Sequence, residues 1–185
     1  MDFNQAKTKL RARLAPITSN ADVKQNAKQY GFADLLIVPY VEITKTDTGV
    51  IRADVTQEIL DEWCVSERSV FNAAMDNIEN DVSIFPLGSL FEDIPTEFMP
   101  PIYVVTNKER INGAIQAIFA KQTLKNLFPE GYALLPSSKH EMIAVPLIYD
   151  VVSVDQLRDL VVSVNASDAM LERDFLSNEV YTFGA

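Results

Sequence analysis

The strand signals in residues 102–147 constrain the fold most. Apolar and β-branched residues cluster or alternate there, which is typical of strands. Asn112-Gly113 lies between two apolar runs, and this dipeptide is a frequent two-residue turn in hairpins. The pattern predicts two hairpins separated by a short helix, with strands at 102–106, 114–119, 132–135 and 141–147 and the helix at 121–128.

Residues 1–81 are predicted to be rich in helix. Apolar residues recur there at intervals of three and four, which indicates amphipathic helices, and Thr56 and Ser66 are suitable N-caps. Helices are predicted at 2–15, 21–30, 56–64 and from Ser66 onward, with one strand at 35–43. The first helix carries basic residues and is either a membrane-surface or partner-binding helix or an ordinary surface helix.

The end of the chain is predicted to hold one helix and one strand. Ser153 followed by Gln156 forms a capping box, which indicates the start of a helix, and residues 180–183 are predicted to form the last strand. The fold class is therefore α+β, with a C-terminal, mainly antiparallel sheet and packed helices, preceded by a helix-rich N-terminal half that contains one strand. The predicted division is 1–81, 82–101 and 102–185, and the alternative is one compact domain.

Residues 82–101 are predicted to be a proline-containing connection between the two halves. Four prolines and Gly88 argue against one regular element. The apolar side chains of this segment, which include Phe91 and Phe98, either cover the core or bind a hydrophobic partner.

Composition excludes several classes of protein. The net charge of −10 argues against general nucleic-acid binding, which needs clustered lysine and arginine. No apolar run is long enough to span a membrane, and the single cysteine, Cys64, fits a reducing compartment, so the expected location is the cytoplasm. No metal site or cofactor is predicted, because one histidine and one cysteine cannot form a standard zinc site and no phosphate-binding glycine pattern occurs.

One polar cluster could carry chemistry. Ser137, Ser138, His140 and Glu141 lie within five consecutive residues, and His140 is the only histidine. A small hydrolase or transferase could use His140 and Glu141 with one of the two serines. The alternative is a structural turn, because neighbouring residues on a turn rarely point at each other.

The sequence predicts a non-catalytic cytoplasmic module that binds other proteins. Asn107 and Lys108 are candidate binding residues in the first hairpin, and Phe91 and Phe98 are candidates in the apolar connection. The enzyme that uses His140 is the first alternative. The second is a structural protein that associates with itself through a free sheet edge at 180–183 or through the apolar connection.

Several motifs resemble a family of bacterial proteins. The shared patterns are a "TNK…NGA" hairpin, an "LPSS.HE" turn and a "VN…V…LS..VY" ending, which here fall at 106–114, 135–141 and 164–181. The chain is similar, over residues 33–183, to an uncharacterised family found mainly in gut-dwelling anaerobes and known only as a domain of unknown function. In the step between two helices, Cys64 stands where the resemblance implies glycine. The resemblance implies an architecture but no activity, substrate or catalytic residue.

Overall fold

The described part of the chain folds into a four-stranded and a five-stranded antiparallel sheet with helices packed against them. The computed structural model describes residues 1–46, 49–91, 100–147, 153–167 and 171–184. In order, the strands and helices are α1 Phe3–Lys7, β1 Leu10–Pro16, β2 Gln25–Asn26, β3 Leu35–Thr46, β4 Gly49–Asp54, α2 Gln57–Trp63, α3 Glu67–Asp76, β5 Val82–Pro86, β6 Tyr103–Asn107, α4 Lys121–Leu127, β7 Gly131–Ser138, β8 Glu141–Pro146, α5 Val154–Asn165 and β9 Tyr181–Gly184. Short 3₁₀ helices cover Lys28–Tyr30, Leu87–Leu90, Gly113–Ile118 and Glu172–Asp174.

In the first sheet, β3 pairs with β1, β2 and β4. β1 lies along the first half of β3, and β4 pairs with its second half from Tyr40 onward. The second sheet has the order β5-β6-β8-β7-β9, and all of its pairs are antiparallel. β5 and β9 therefore form its two edges.

The two sheets share one hydrophobic core. One face of the second sheet, through Leu134 and Met142, joins the main cluster with Leu14 of β1, Ile37 of β3 and Val70 of α3. Its other face is covered by α5. Ala133 and Leu135 of β7 pack there against apolar side chains of that helix, Leu157 and Val161. Successive side chains of β7 point to opposite faces of the sheet, and its first six residues are all buried, so α5 lies on the opposite side of the sheet from the main core.

The α+β class is confirmed, but the helix-rich N-terminal half is wrong. The predicted helix 2–15 is helical only over α1, where Asp2 and Gln5 form a capping box, and continues as strand β1. The apolar residues Leu10 and Leu14 fit both a helical and a two-residue period. Strand pairing decided the outcome, because it buries Ala12 with them and brings the Arg13 guanidinium to 2.7 Å from the Asp54 carboxylate of β4.

The structure corrects the N-terminal prediction at two further places. The predicted helix 21–30 is the short strand β2 followed by a 3₁₀ helix, although it ends at Gly31 as predicted, with φ +91°. Strand β4 was not predicted, and the turn before it falls partly on residues 47–48, which lie outside the described part of the chain. The remaining predicted N-terminal elements, β3, α2 and α3, are confirmed with the caps Thr56 and Ser66.

The predicted first hairpin of residues 102–147 is also wrong. Asn112 does adopt a left-handed conformation, with φ +53°, but residues 113–118 form a 3₁₀ helix whose six residues are all buried. β6 pairs instead with β5 and β8. Because β6 already has a neighbour on each side, no edge of β6 is left for residues 113–118 to pair with.

The remaining C-terminal elements follow the prediction. The hairpin of β7 and β8, the helices α4 and α5 and the final strand β9 are confirmed. Val82–Pro86, predicted as the start of a connection, forms the edge strand β5. The proline at its end fits an edge, because it cannot donate to a neighbouring strand. The division of the chain at 81 and 101 stays a prediction.

Two further features concern the helices. Cys64 ends α2 in the left-handed conformation, with φ +53°, which glycine adopts with less strain. The resemblance implied glycine at this step. No helix in the described part of the chain is long and apolar enough to cross a membrane.

Candidate binding cavity

The β7–β8 turn places the predicted polar cluster next to the C-terminal 3₁₀ helix. Ser138 and Glu141 face each other across the hairpin, so Lys139 and His140 form its tip. The Lys139 ammonium lies 2.7 Å from the Asp174 carboxylate, and the Lys139 backbone N–H donates to the Asp174 carbonyl at 2.8 Å. The turn and the 3₁₀ helix are therefore held together by both backbone and side chain.

Both ring nitrogens of His140 have partners. Nδ1 accepts a hydrogen bond from the Asn112 backbone N–H at 3.1 Å, and Nε2 lies 3.4 Å from the Asp174 carboxylate. Because Nδ1 is the acceptor, Nε2 carries the proton. The Ser138 hydroxyl accepts from the His140 backbone N–H at 3.0 Å. No described serine hydroxyl bonds to the ring, so this arrangement favours a structural turn over a serine nucleophile activated by His140.

The hydrogen bond from Lys139 lowers the pKa of Asp174 below its ordinary value of 3.8. A carboxylate whose pKa is lower in the folded state stabilises the fold above its unfolded pKa, and this contribution is lost as the pH falls through the folded value. We therefore expect Asp174→Asn to reduce the free energy of unfolding at pH 7 by about 0.5 kcal/mol. Below the folded pKa of Asp174 the wild type and the variant should be equally stable, as measured by urea unfolding at pH 7 and along an acid series.

The control for this prediction is Asp159→Asn, which removes a charge from an exposed position on α5. It should shift stability little at either pH. A constant difference between wild type and Asp174→Asn across the whole acid range would contradict the assignment to this carboxylate.

The predicted binding residues do not meet at one place. The Asn107 side chain bonds both the carbonyl and the N–H of Ile111, at 2.8 and 3.1 Å, and so closes the loop after β6. Lys108 is exposed in that loop. Phe91 is 49% exposed, and Phe98 lies outside the described residues. Only Asn107 lines a polar cavity, and this cavity is the candidate site.

The cavity lies between the two sheets and has a volume of about 220 Å³. Its lining comes from β1 and β3, from the segment 77–81 after α3, from the end of β6 and the loop after it, and from the 3₁₀ helix Gly113–Ile118. This is a common position for ligand sites, which favour the junction of two structural units. Its lining residues are Arg11, Ala12, Tyr40, Glu42, Asn77, Ile78, Asp81, Asn107, Glu109, Ile111 and Gln116.

Gln116 is the most informative residue of the cavity. Its side chain is 1% exposed. Its Nε2 donates to the Ile78 carbonyl at 3.1 Å, and among the described residues its Oε1 has no hydrogen-bond partner. The carbonyl of Ile78 can only accept, so it fixes the orientation of the amide and leaves the oxygen directed away from it. A buried acceptor without a partner costs about 1–3 kcal/mol, and such a cost is commonly found at functional sites.

Hydrogen bonds and an ion pair hold Arg11 and Glu42 of the cavity in place. Arg11 lies 3.6 Å from Glu42, and its guanidinium also donates to the carbonyls of Thr8 and Leu10 at 3.0 and 2.8 Å. The Asn77 amide donates to the Leu10 carbonyl at 3.0 Å. These bonds hold the rim of the cavity in a defined geometry before any ligand arrives.

Tyr40 supplies a neutral hydroxyl. Burial raises the pKa of Tyr40 above its ordinary value of 10.0, so the hydroxyl keeps its proton at neutral pH. The neighbouring Asn112 side chain acts in the opposite direction and lowers the pKa of Tyr40. Because His140 binds the backbone of Asn112, the β7–β8 turn supports one side of the cavity indirectly.

Sequence reasoning missed most of this site. The sequence predicts a strand at Gln116 and a helix at Arg11, whereas Gln116 lies in a 3₁₀ helix and Arg11 in strand β1. One signal was visible, because Gln116 is the only polar residue between Ala114 and Ala120. A lone polar side chain in an apolar run indicates a buried group that needs a partner. Among the described residues, no group of three or more histidine, cysteine or acidic side chains could hold a metal ion.

Comparison with known proteins gives one match. The model of a family of unknown function (DUF5688) matches residues 1–184. No curated protein and no solved structure matches the chain. The resemblance to an uncharacterised family is therefore confirmed, and the match extends further toward the N-terminus than the motifs did.

Proposed function

Since the chain belongs to the family of unknown function DUF5688, which brings no activity with it, we propose from its geometry that this protein is a non-catalytic binding module for a small polar ligand. The observation that carries the proposal is the buried Gln116 oxygen, which has no partner among the described residues and belongs to a side chain that lines the cavity. A ligand that donates a hydrogen bond to this oxygen would remove the cost of its burial.

The composition of the cavity supports binding over covalent catalysis. Its described lining residues include no histidine, cysteine, serine or lysine, which are frequent nucleophiles, so its groups able to transfer protons are the carboxylates and the Tyr40 hydroxyl. Its volume of about 220 Å³ lies below the roughly 300–1,000 Å³ of sites for drug-sized molecules. The ligand should therefore be small.

The proposal predicts selective binding that depends on Gln116. Nitrogen-15 NMR spectra of the full chain would be recorded with primary amines, carboxylic acids, polyols and nucleosides at millimolar concentrations. At least one class should shift the resonances of Gln116, Asn77 and their neighbours in a saturable way. Gln116→Met, which keeps the side-chain volume but removes the acceptor, should weaken this binding about 10-fold.

Two results would contradict the proposal. One is a panel in which no compound shifts the cavity resonances. The other is binding that maps elsewhere and is unchanged in Gln116→Met. A well-dispersed spectrum of the variant without ligand serves as the control for folding, and Tyr40→Phe provides a second cavity variant.

A protein partner stays a prediction, and exposed apolar side chains support it. Leu160 and Val164 on α5 are 56% and 45% exposed, and such side chains mark interaction sites where they form a patch. Self-association through a sheet edge is the competing prediction, and light scattering over a concentration series tests it. A cytoplasmic location is part of the proposal and is supported by the single cysteine.

A further inference from the structure

We propose that His140 is a pH-sensitive latch, which holds the loop at Asn112 while its ring is neutral and releases it when the ring is protonated. This inference goes beyond the proposed function and needs no ligand. It rests on the partners of the two ring nitrogens, on the backbone conformation of the loop and on the position of the loop beside the cavity.

The hydrogen bond between the ring and the loop exists only in the neutral form of His140. The Asn112 backbone N–H donates to Nδ1 at 3.1 Å, and this nitrogen accepts only while it carries no proton. A proton on Nδ1 would set two donors against each other, so the bond would be lost. Histidine is the side chain that ordinarily gains a proton between about pH 8 and pH 5, and His140 is the only histidine of the chain.

The charged groups around the ring keep the turn in place without replacing the bond to the loop. Nε2 lies 3.4 Å from the Asp174 carboxylate, which attracts a protonated ring. The Lys139 ammonium already lies 2.7 Å from the same carboxylate oxygen, so a second cation gains less there. In the described part of the chain, the other charged residues on the turn, the loop and the neighbouring 3₁₀ helix form no ion pair with the ring; they are Lys108, Glu109, Arg110, Glu141, Glu172 and Arg173.

The loop is held in a conformation that costs free energy. Arg110 and Asn112 both have φ +53°, in the left-handed region that residues other than glycine adopt with strain. Such conformations persist where neighbouring contacts maintain them. The bond from Asn112 to His140 is one of these contacts, so its loss removes part of what holds the loop in place.

The other bonds between the turn and the loop do not titrate, which makes the release local. The Thr106 hydroxyl donates to the His140 carbonyl at 2.8 Å, and the Ala114 N–H donates to the Lys139 carbonyl at 3.2 Å. Ile111, the residue before Asn112, lines the polar cavity. The segment that the latch releases therefore adjoins the wall of the cavity.

Hydrogen exchange of the Asn112 amide, followed by NMR on the nitrogen-15-labelled full chain, measures the latch. Its protection factor, which corrects for the intrinsic pH dependence of exchange, should be about 10-fold lower at pH 5 than at pH 8, because one hydrogen bond is lost. Asp174 stays ionised at both pH values, since the hydrogen bond from Lys139 lowers the pKa of Asp174 below 3.8. The Ala114 amide is the internal reference, and its protection factor should change little.

Two variants test whether the ring is responsible. In His140→Asn the side-chain oxygen can lie near the position of Nδ1 and accepts at every pH, so the protection of the Asn112 amide should no longer depend on pH. In His140→Ala no acceptor remains, and the protection should be equally low at pH 5 and pH 8. A well-dispersed spectrum of each variant is the control for folding.

Three results would overturn the inference. One is equal protection of the wild-type Asn112 amide at the two pH values. Another is a His140→Asn variant that keeps the pH dependence, which would assign it to a different group. The third is an equal loss of protection at Ala114 and Asn112, which would show a general loosening of the fold. None of these results bears on whether the cavity binds a ligand, so failure of the latch leaves the proposed function standing.

Discussion

Replacing Gly113 with alanine is expected to destabilise the fold by about 3 kcal/mol, because the backbone leaves no room for a methyl group. A Cβ at this position would lie 2.6 Å from the Asn107 backbone nitrogen and 2.7 Å from the His140 carbonyl oxygen. Both atoms belong to the backbone, which cannot rotate away as a long side chain would. Relief of these contacts requires the 3₁₀ helix to move away from β6 and from the β7–β8 turn.

Urea unfolding followed by the fluorescence of Trp63, the only tryptophan, measures this effect. Gly184→Ala is the matched control, because nothing lies within 4 Å of a Cβ at that position. The control should change stability by less than about 0.5 kcal/mol. A Gly113→Ala variant as stable as the control would show that the close approach of these segments does not exist.

Truncation of Phe32 to alanine is expected to cost about 4 kcal/mol, because it opens a cavity in the shared core. Phe32 is 0% exposed. Its ring lies 4.8 Å from that of Tyr181 in an edge-to-face arrangement and 6.0 Å from that of Phe183. The loss therefore removes both apolar burial and two aromatic contacts that attach β9 to the loop before β3.

Hydrogen exchange adds a local readout to the unfolding measurement. The amide protons of β9 and its partner β7 should exchange faster in Phe32→Ala than in the wild type. Phe91→Ala is the control, since the same truncation removes a ring that is 49% exposed, and its cost should be below about 1 kcal/mol. Equal costs for the two variants would contradict the burial assigned to Phe32.

The elements that sequence reasoning predicted well are those with complete local signals. Helices α2, α3 and α5 begin after Thr56, Ser66 and Ser153, whose side chains accept hydrogen bonds from the first turn. Such caps act within four residues, so they can be recognised without knowledge of the rest of the fold. The β7–β8 hairpin is also local, because its two strands are adjacent in the chain.

The elements that it predicted wrongly depend on distant partners. Residues 10–16 become a strand because they pair with β3, some 25 residues later in the chain. Asn112-Gly113 carries a hairpin signal, but β6 has its edges occupied by β5 and β8. In both cases tertiary pairing overrode a local pattern that fitted two structures almost equally well.

The candidate site was the least predictable part of the molecule. Its polar groups come from positions as far apart in the chain as Arg11, Tyr40 and Gln116. None forms a motif with its neighbours. The cluster that did form a motif, around His140, supports the backbone of Asn112 through a ring nitrogen.

Local chemistry was therefore sufficient for the α+β class, the capped helices and the second hairpin, because caps, turns and alternating apolar residues act between near neighbours. The pairing partners of β1 and β6, the 3₁₀ helix at Gly113 and the cavity at Gln116 were settled only by the folded chain. They depend on contacts between residues far apart in sequence, and on backbone segments that approach too closely for any side chain at Gly113. Neither kind of contact leaves a periodic trace in the order of the amino acids.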